Sequence, residues 1–332
     1  MPAMEQPAIL GIDIGGANLK VAHTNGAALT VPFALWRYPN ELTGRLRAIR
    51  AQMPAHDRIA LTMTGELCDC FESKRNGVLA ILGSAEEAAD GTSLRIWTMR
   101  GALVEPKQIR KDPLSAAAAN WLALAYFACR YTESEPALLI DTGSTTTDIV
   151  YLDNGKPQPR GLTDRERMAS GELVYTAVRR TPVCAVLGLG VAAEVFATML
   201  DAYLLVGLVP ESPDDTDTAD GRPATRQEAA ARLARMLCAD VAEVPPAELE
   251  AFATKAIEIQ ASYMSHAIDR VIEGRARPRR IVLSGSGDAL GRLVLARHPE
   301  LLGTPAVYLA ERLGPALSEA ACAYSVAILA AR

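Results

Sequence analysis

Two stretches of this chain share one design. Residues 8–26 read "AILGIDIGGANLKVAHTNG" and residues 138–155 read "LLIDTGSTTTDIVYLDNG". In each, an apolar run ends at an acid, Asp13 or Asp141, and glycine and small polar residues follow. A second apolar run then closes on an Asn-Gly pair. Apolar runs interrupted by such residues read as paired strands, and Asn-Gly is the residue pair that tight turns favour. A hairpin given twice, half a chain apart, demands a fold with two related halves.

At 332 residues the chain also exceeds the usual ceiling for one core, so two lobes are expected on size alone. Residues 8–14 and 19–24 are predicted strands, "ALTVPFALW" a third, and "DRIALTMT" a buried fourth. "PNELTGRLRAIRAQ" has helical spacing. "DPLSAAAANWLALAYFACR" opens with Asp at a cap and Pro in the first turn, which predicts one long helix. After the polar break "YTESEP" the pattern restarts with the second hairpin. A strand is predicted near 183–187, helices near 191–206, 225–239 and 247–273, and a loop at "PESPDDTDTADGRPAT". "RRIVLSGSGDALGRLV" reads as strand, glycine turn and helix, and the alanine-rich tail 315–331 as one amphipathic helix. Strand hairpins followed by alternating helices and strands, twice over, predict two α/β lobes with a cleft between them.

Net charge −5 and a pI near 5.6 argue against nucleic-acid or anionic-membrane partners. The longest apolar segment, Val183 to Val209, is broken by Glu194, Asp201 and several glycines, so a membrane span is not expected. The opening "MPAMEQPAIL" lacks the pattern of a secretory signal, so a cytoplasmic location is expected. Six cysteines (68, 70, 129, 184, 238 and 322) are read as buried free thiols, and the lone C-x-C lacks zinc-site spacing. None of the four histidines has a partner at ligand spacing.

A bend of glycines and hydroxyls exposes N–H and O–H donors with little side chain in the way, which is what phosphate oxygens need. Asp13 and Asp141 would repel phosphate directly, but could hold Mg²⁺ that bridges to it. Lys20 adds a positive charge at the first bend. The plainer alternative is a pair of ordinary turns whose acids are satisfied by turn N–H groups. A third glycine turn, "LSGSG" at 283–287, favours the cleft reading, because three such turns at three strand ends fit one site.

This triple pattern resembles the superfamily of actin, the sugar kinases and the heat-shock ATPases. The resemblance implies a two-lobed, ribonuclease H-like α/β fold with duplicated mixed sheets. "GIDIGGANLK" is similar to its first phosphate loop, with Gly15, Gly16 and Asn18. "LIDTGSTTTDI" is similar to its second, with Gly143, Ser144, Thr145 and Thr146, and "VLSGSG" to its adenosine loop, with Gly285, Ser286 and Gly287. The lobes would be 1–132, completed by a returning C-terminal helix at 315–332, and 133–314. More narrowly, "LTMTGELCDCFESKRNGV", "ASGELVYTAVRRTPV", "AANWLALA" and "TADGRPAT" resemble the hydantoinase/oxoprolinase branch, and within it proteins of tetrahydromethanopterin-linked one-carbon metabolism. This resemblance implies transfer of a furanylmethyl group from its diphosphate to the phenol oxygen of a glutamyl-tyramine or tyrosine-type acceptor, in methanofuran or methylofuran biosynthesis. It further implies Mg²⁺ as cofactor, diphosphate as product and no ATP hydrolysis.

Glu66, after Thr64 at the end of a buried strand, is a candidate base; its alternative is a helix first-turn carboxylate. Asp148, across the second hairpin from Asp141, is a candidate base or metal ligand, and equally a turn-stabilising acid. Lys74 and Arg75 could bind a phosphate or the glutamyl carboxylate, or be solvated. One of Arg179 and Arg180 is expected to reach the cleft. Asp217, Asp220 and Arg222 form a candidate lid, the alternative being a disordered acidic loop. Asn120 and Trp121 lie on a helix, Trp121 as core. The apolar 191–206 segment offers a surface for a homodimer. Two other functions fit the loops: an ATP-dependent kinase or oxoprolinase-like hydrolase, and a nucleotide-sensing protein without turnover.

Overall fold

The computed structural model describes residues 7–332, so residues 1–6 of the opening segment lie outside the described residues. The first sheet has the order β3-β2-β1-β4-β5-β6. Its strands are β1 Ile9–Ile14, β2 Asn18–His23, β3 Ala28–Pro32, β4 Arg58–Met63, β5 Ser93–Trp97 and β6 Leu103–Val104. The second sheet runs β10-β8-β7-β11-β12, with β9 beside β8. These strands are β7 Ala137–Thr142, β8 Thr147–Asp153, β9 Lys156–Pro157, β10 Leu173–Val174, β11 Arg280–Ser284 and β12 Ala306–Tyr308.

The two sheets repeat one plan. An antiparallel hairpin (β1–β2, β7–β8) carries a further antiparallel strand on its outer side (β3, β10), and two parallel strands follow on the inner side (β4–β5, β11–β12). That order, with parallel strands added beyond a hairpin, is the expected duplicated ribonuclease H-like architecture. Both hairpins fold where the sequence predicts.

The sheets share a layer of helix. Helix Asn120–Ala128 is buried almost all round, and helix Ala321–Ala330 packs beside it and across β1, β2 and β4. One apolar cluster therefore joins Ile9 and Ala60 of the first sheet to Leu139, Val150 and Val282 of the second through Trp121, Val326 and Ala327. The approach is close enough to need a missing side chain. A Cβ on Gly11 would lie 1.8 Å from the Ala323 carbonyl oxygen. The C-terminal helix thus packs directly on the first sheet.

Four local expectations are corrected. Residues 183–187 form a short helix, burying Val183 and Val186 three residues apart; a five-residue apolar run does not by itself separate helix from strand. The helix expected over 191–206 begins only at Met199, behind a Thr198 capping box, and residues 191–197 before it are irregular. The long alanine-rich helix expected after Asp112 is a 3-10 turn, Pro113–Ala116, then a break at Ala118 with φ +48, then the helix from Asn120. The tail is two helices, Pro315–Glu319 and Ala321–Ala330, and the second is apolar on opposite faces because it lies between sheet and helix. In addition, β3 stops at Pro32. All six cysteines are free, and two of them, Cys70 and Cys238, are exposed. No helix among the described residues is long and apolar enough to cross a membrane.

Candidate active site

Each hairpin bend is closed by a backbone hydrogen bond of the same kind: Gly15 N–H donates to Asn18 O (3.0 Å) and Gly143 N–H to Thr146 O (2.9 Å). Both bends open on one cavity of about 390 Å³ between the lobes. Asp13, Gly15, Gly16, Asn18, Lys20 and Thr64 line it from the first lobe. Asp141, Gly143, Ser144, Thr145, Thr146, Asp148 and Arg180 line it from the second. Thr64 is held there because its N–H donates to Ile14 O (2.9 Å).

The pleat explains which side chains meet. Asp13 pairs directly with Lys20 across β1–β2, and Asp141 with Asp148 across β7–β8. The same register position thus carries a cation in one lobe and an acid in the other. Two carboxylates facing each other across a ladder are unfavourable unless something compensates. The compensation is Arg167, from the helix Asp164–Ser170, whose Nη2 donates to Asp148 Oδ1 at 2.8 Å. Arg167 is 1% exposed and stacks on the Trp121 ring, 3.8 Å from its centroid. Trp121 is core, as expected, and also the platform of this buried cation.

Burial dominates the charge states here. Desolvation pushes the Asp13 carboxyl up to about 6, with Lys20 and Asn120 pulling the other way. Asn120 Nδ2 donates to Asp13 Oδ2 at 3.5 Å, while Asp13 Oδ1 is buried without a hydrogen-bond partner. Asp141 is raised to about 6 by burial and by the charge of Asp148. Burial also raises Asp148, against the pull of Arg167. Among the described residues no three His, Cys, Asp or Glu side chains cluster tightly enough to cage a metal ion.

Several expected site residues lie elsewhere. Gly285 takes φ +91 and presses on the second hairpin, where a Cβ would meet Thr142 O at 2.1 Å, and Gly287 N–H donates to the same carbonyl at 2.9 Å. The third turn therefore braces the Asp141 strand, and Gly285, Ser286 and Gly287 do not line the cavity. Glu66 is buried beside the first lobe's helix Lys74–Ala89, and burial lifts its carboxyl to about 7. It too stands off the cavity wall. Lys74 lies 3.7 Å from Glu66 and 3.3 Å from Asp164, joining the lobes by an ion pair, while Arg75 is exposed.

Of the two neighbouring arginines, Arg180 lines the cavity and Arg179 binds Asp215 at 2.6 Å. Asp217 lies 3.6 Å from Arg180. Asp220 and Arg222 turn away from the cavity toward the helix Arg226–Met236: Asp220 binds Arg232 (3.0 Å) and Arg235 (3.1 Å), and Arg222 binds Glu228 (3.3 Å). These two of the three expected lid residues anchor their loop to that helix, while Asp217 of the same loop stays beside Arg180. The sequence reading missed Arg167, Trp36, Tyr175 and Cys322, the last three lining the cavity. Cys322 arrives there on the returning C-terminal helix.

Two copies of one hairpin-based sheet facing each other across an acid-floored cavity make this a protein of the actin-like ATPase fold. Acetone carboxylase in its nucleotide-free structure aligns with it at a TM-score of 0.52 and 10% identity, over 97% of this chain and 70% of that one. Within that fold the chain belongs to the hydantoinase/oxoprolinase family, whose model matches residues 57–330. It is 30% identical over 293 residues to the (4-{4-[2-(gamma-L-glutamylamino)ethyl]phenoxymethyl}furan-2-yl)methanamine synthase of Methanocaldococcus jannaschii, covering 85% of this chain and 87% of the relative. A protein of the same name from Methanococcus vannielii is 29% identical over 206 residues, 58% of this chain and 89% of its own length.

Proposed function

We propose that this protein is a furanylmethyl transferase of methanofuran or methylofuran biosynthesis. It joins an (aminomethyl)furanylmethyl diphosphate to the phenol oxygen of a glutamyl-tyramine or tyrosine-type acceptor and releases diphosphate. The observation that carries the reading is the similarity, along most of both chains, to a synthase whose named product contains that phenoxymethyl-furan ether. The cavity is chemically suited to it. The bond from the exocyclic carbon to the diphosphate oxygen breaks, and its electron pair leaves with the diphosphate. The phenol oxygen forms the new bond to the same carbon and gives up its proton.

The two hairpins offer donors for the diphosphate oxygens: the backbone N–H groups of the bends, the hydroxyls of Ser144, Thr145 and Thr146, and the cations Lys20 and Arg180. The buried, unpartnered Oδ1 of Asp13 and the raised Asp141 carboxyl fit a divalent cation shared by the lobes. Two carboxylates, with no third His, Cys, Asp or Glu clustered with them among the described residues, are a set that Mg²⁺ uses when substrate phosphates complete its shell. Held by Asp13 and Asp141, Mg²⁺ would neutralise the charge that develops on the diphosphate. Asp148 is the base assigned to the phenol proton, because it lines the cavity and Arg167 holds its carboxylate oriented. Glu66 stands off the wall behind Lys74, so its part is to hold the interlobe ion pair.

A second reading, an ATP-dependent kinase or oxoprolinase-like hydrolase, has one observation in its favour: the Gly285 turn is packed against the second hairpin, beside the phosphate donors. Purified protein with Mg²⁺ is incubated with ATP alone, and separately with the furanylmethyl diphosphate and a tyramine conjugate. Diphosphate release that requires the phenol supports the transferase. Phosphate release from ATP alone supports the second reading and sinks the first.

A further inference from the structure

Two large aromatic side chains stand in solvent at the mouth of an otherwise polar cavity. Trp36 is 47% exposed and Tyr175 is 69% exposed, and both line it. Neither ring is paired with another aromatic ring among the described residues. The other two tryptophans, Trp97 and Trp121, are 3% and 2% exposed, as is ordinary for rings of this size.

Their positions follow the internal duplication. Trp36 lies just beyond β3, the strand outside the first hairpin, and Leu35 N–H beside it donates to Gly16 O at 2.9 Å. Tyr175 lies just beyond β10, the strand outside the second hairpin, and the next residue's carbonyl, Thr176 O, accepts from Thr147 Oγ1 at 2.8 Å. Each hairpin is thus tied to a residue next to one exposed ring, one per lobe, and both rings line the same cavity.

We infer that Trp36 and Tyr175 are a two-sided aromatic clamp, one plate from each lobe, that holds the planar aromatic rings of the substrates over the polar floor of the cavity. The inference rests on the transferase reading for which rings those are, the furan of the donor and the phenol of the acceptor. Rings stacked there would align the phenol oxygen with the exocyclic carbon. An aromatic face also attracts the positive charge that builds on that carbon as the diphosphate departs. The plates would exclude the water that competes with the phenol. Trp36 and Tyr175 are on this view positioning residues, and the proton and the leaving group are handled below them.

Trp36 is its own reporter, being exposed where the other two tryptophans are buried. Tyramine titrated into the Mg²⁺-loaded protein should quench the exposed-tryptophan emission. Trp36→Phe should remove that signal, and Tyr175→Ala should weaken the titration about tenfold, the scale of one stacking contact. In turnover, Trp36→Ala and Tyr175→Ala should each raise KM for the ring-bearing substrates about tenfold, with Trp36→Phe and Tyr175→Phe close to the parent. If the parent protein quenches as described but releases no diphosphate, the transferase reading fails and the clamp stands. If the parent turns over while tyramine leaves Trp36 unquenched and the alanine variants keep their KM, the clamp is wrong and the transferase reading survives.

Discussion

Asp13→Asn removes a buried charge while keeping the shape of the side chain. Asp13 is 6% exposed, one of its oxygens has no partner, and its carboxyl is raised by burial from an ordinary value of 3.8 to about 6, Lys20 notwithstanding. An acid whose folded pKa lies above its unfolded pKa weighs against folding once it must ionise. That penalty is absent below about pH 4, grows between pH 4 and 6, and is complete above 6. At about 1.4 kcal/mol per pH unit, a rise of this size costs the folded state about 3 kcal/mol at pH 7.5. The asparagine variant should therefore be the more stable protein at pH 7.5 without metal, by about 3 kcal/mol. For a chain of this length that is about 4 °C in the melting midpoint. At pH 4 the two midpoints should coincide. Adding Mg²⁺ should stabilise the parent and not the variant, and the variant should release no diphosphate. Thermal denaturation at the two pH values, with and without Mg²⁺, reads all of this. A variant that melts lower than the parent at pH 7.5 would refute the reasoning, because Asp13 would then be held by something stronger than the contacts described.

Replacing Asp148 by Asn should lower phenol-dependent diphosphate release by about 10²- to 10⁴-fold with little change in KM for the donor, measured by steady-state kinetics. Arg167→Met leaves the Asp148 charge without its 2.8 Å partner. It should cost about 3–5 kcal/mol in denaturant unfolding, and should move the acidic limb of the pH–rate profile upward, since the arginine is what pulls the Asp148 carboxyl down. Gly11→Ala drives a methyl group into the Ala323 carbonyl, so it should destabilise by about 3 kcal/mol or more. The same change should increase proteolytic release of the C-terminal helix.

The hairpins were legible because every signal for them is contiguous: apolar strands, a glycine bend, an Asn-Gly turn. Register follows from the length of the bend together with strand alternation, so the placing of Asp13 opposite Lys20 and of Asp141 opposite Asp148 was within reach of the sequence. The third glycine turn was visible as a turn at a strand end, but only packing shows that Gly285 faces Thr142. Asp220 and Arg222, in a loop rich in acids and glycine, look solvated on paper. The buried Arg232, itself paired with Asp201 at 2.7 Å, is what draws Asp220 to the helix.

Arg167 sits in "TDRERMAS", which reads as the charged face of a surface helix. Its burial depends on Trp121 and Asp148, which lie 46 and 19 residues away. No periodicity encodes a contact of that kind. By itself, then, the sequence determined the duplicated hairpins, the acids at their strand ends and the polar bends, because local backbone preference and strand alternation act within a few residues. Tertiary structure alone decided which acids share one cavity, that Arg167 neutralises Asp148 from behind, and that Trp36 and Tyr175 stand at the same mouth. Those facts come from desolvation and close packing between distant segments, which have no local signature.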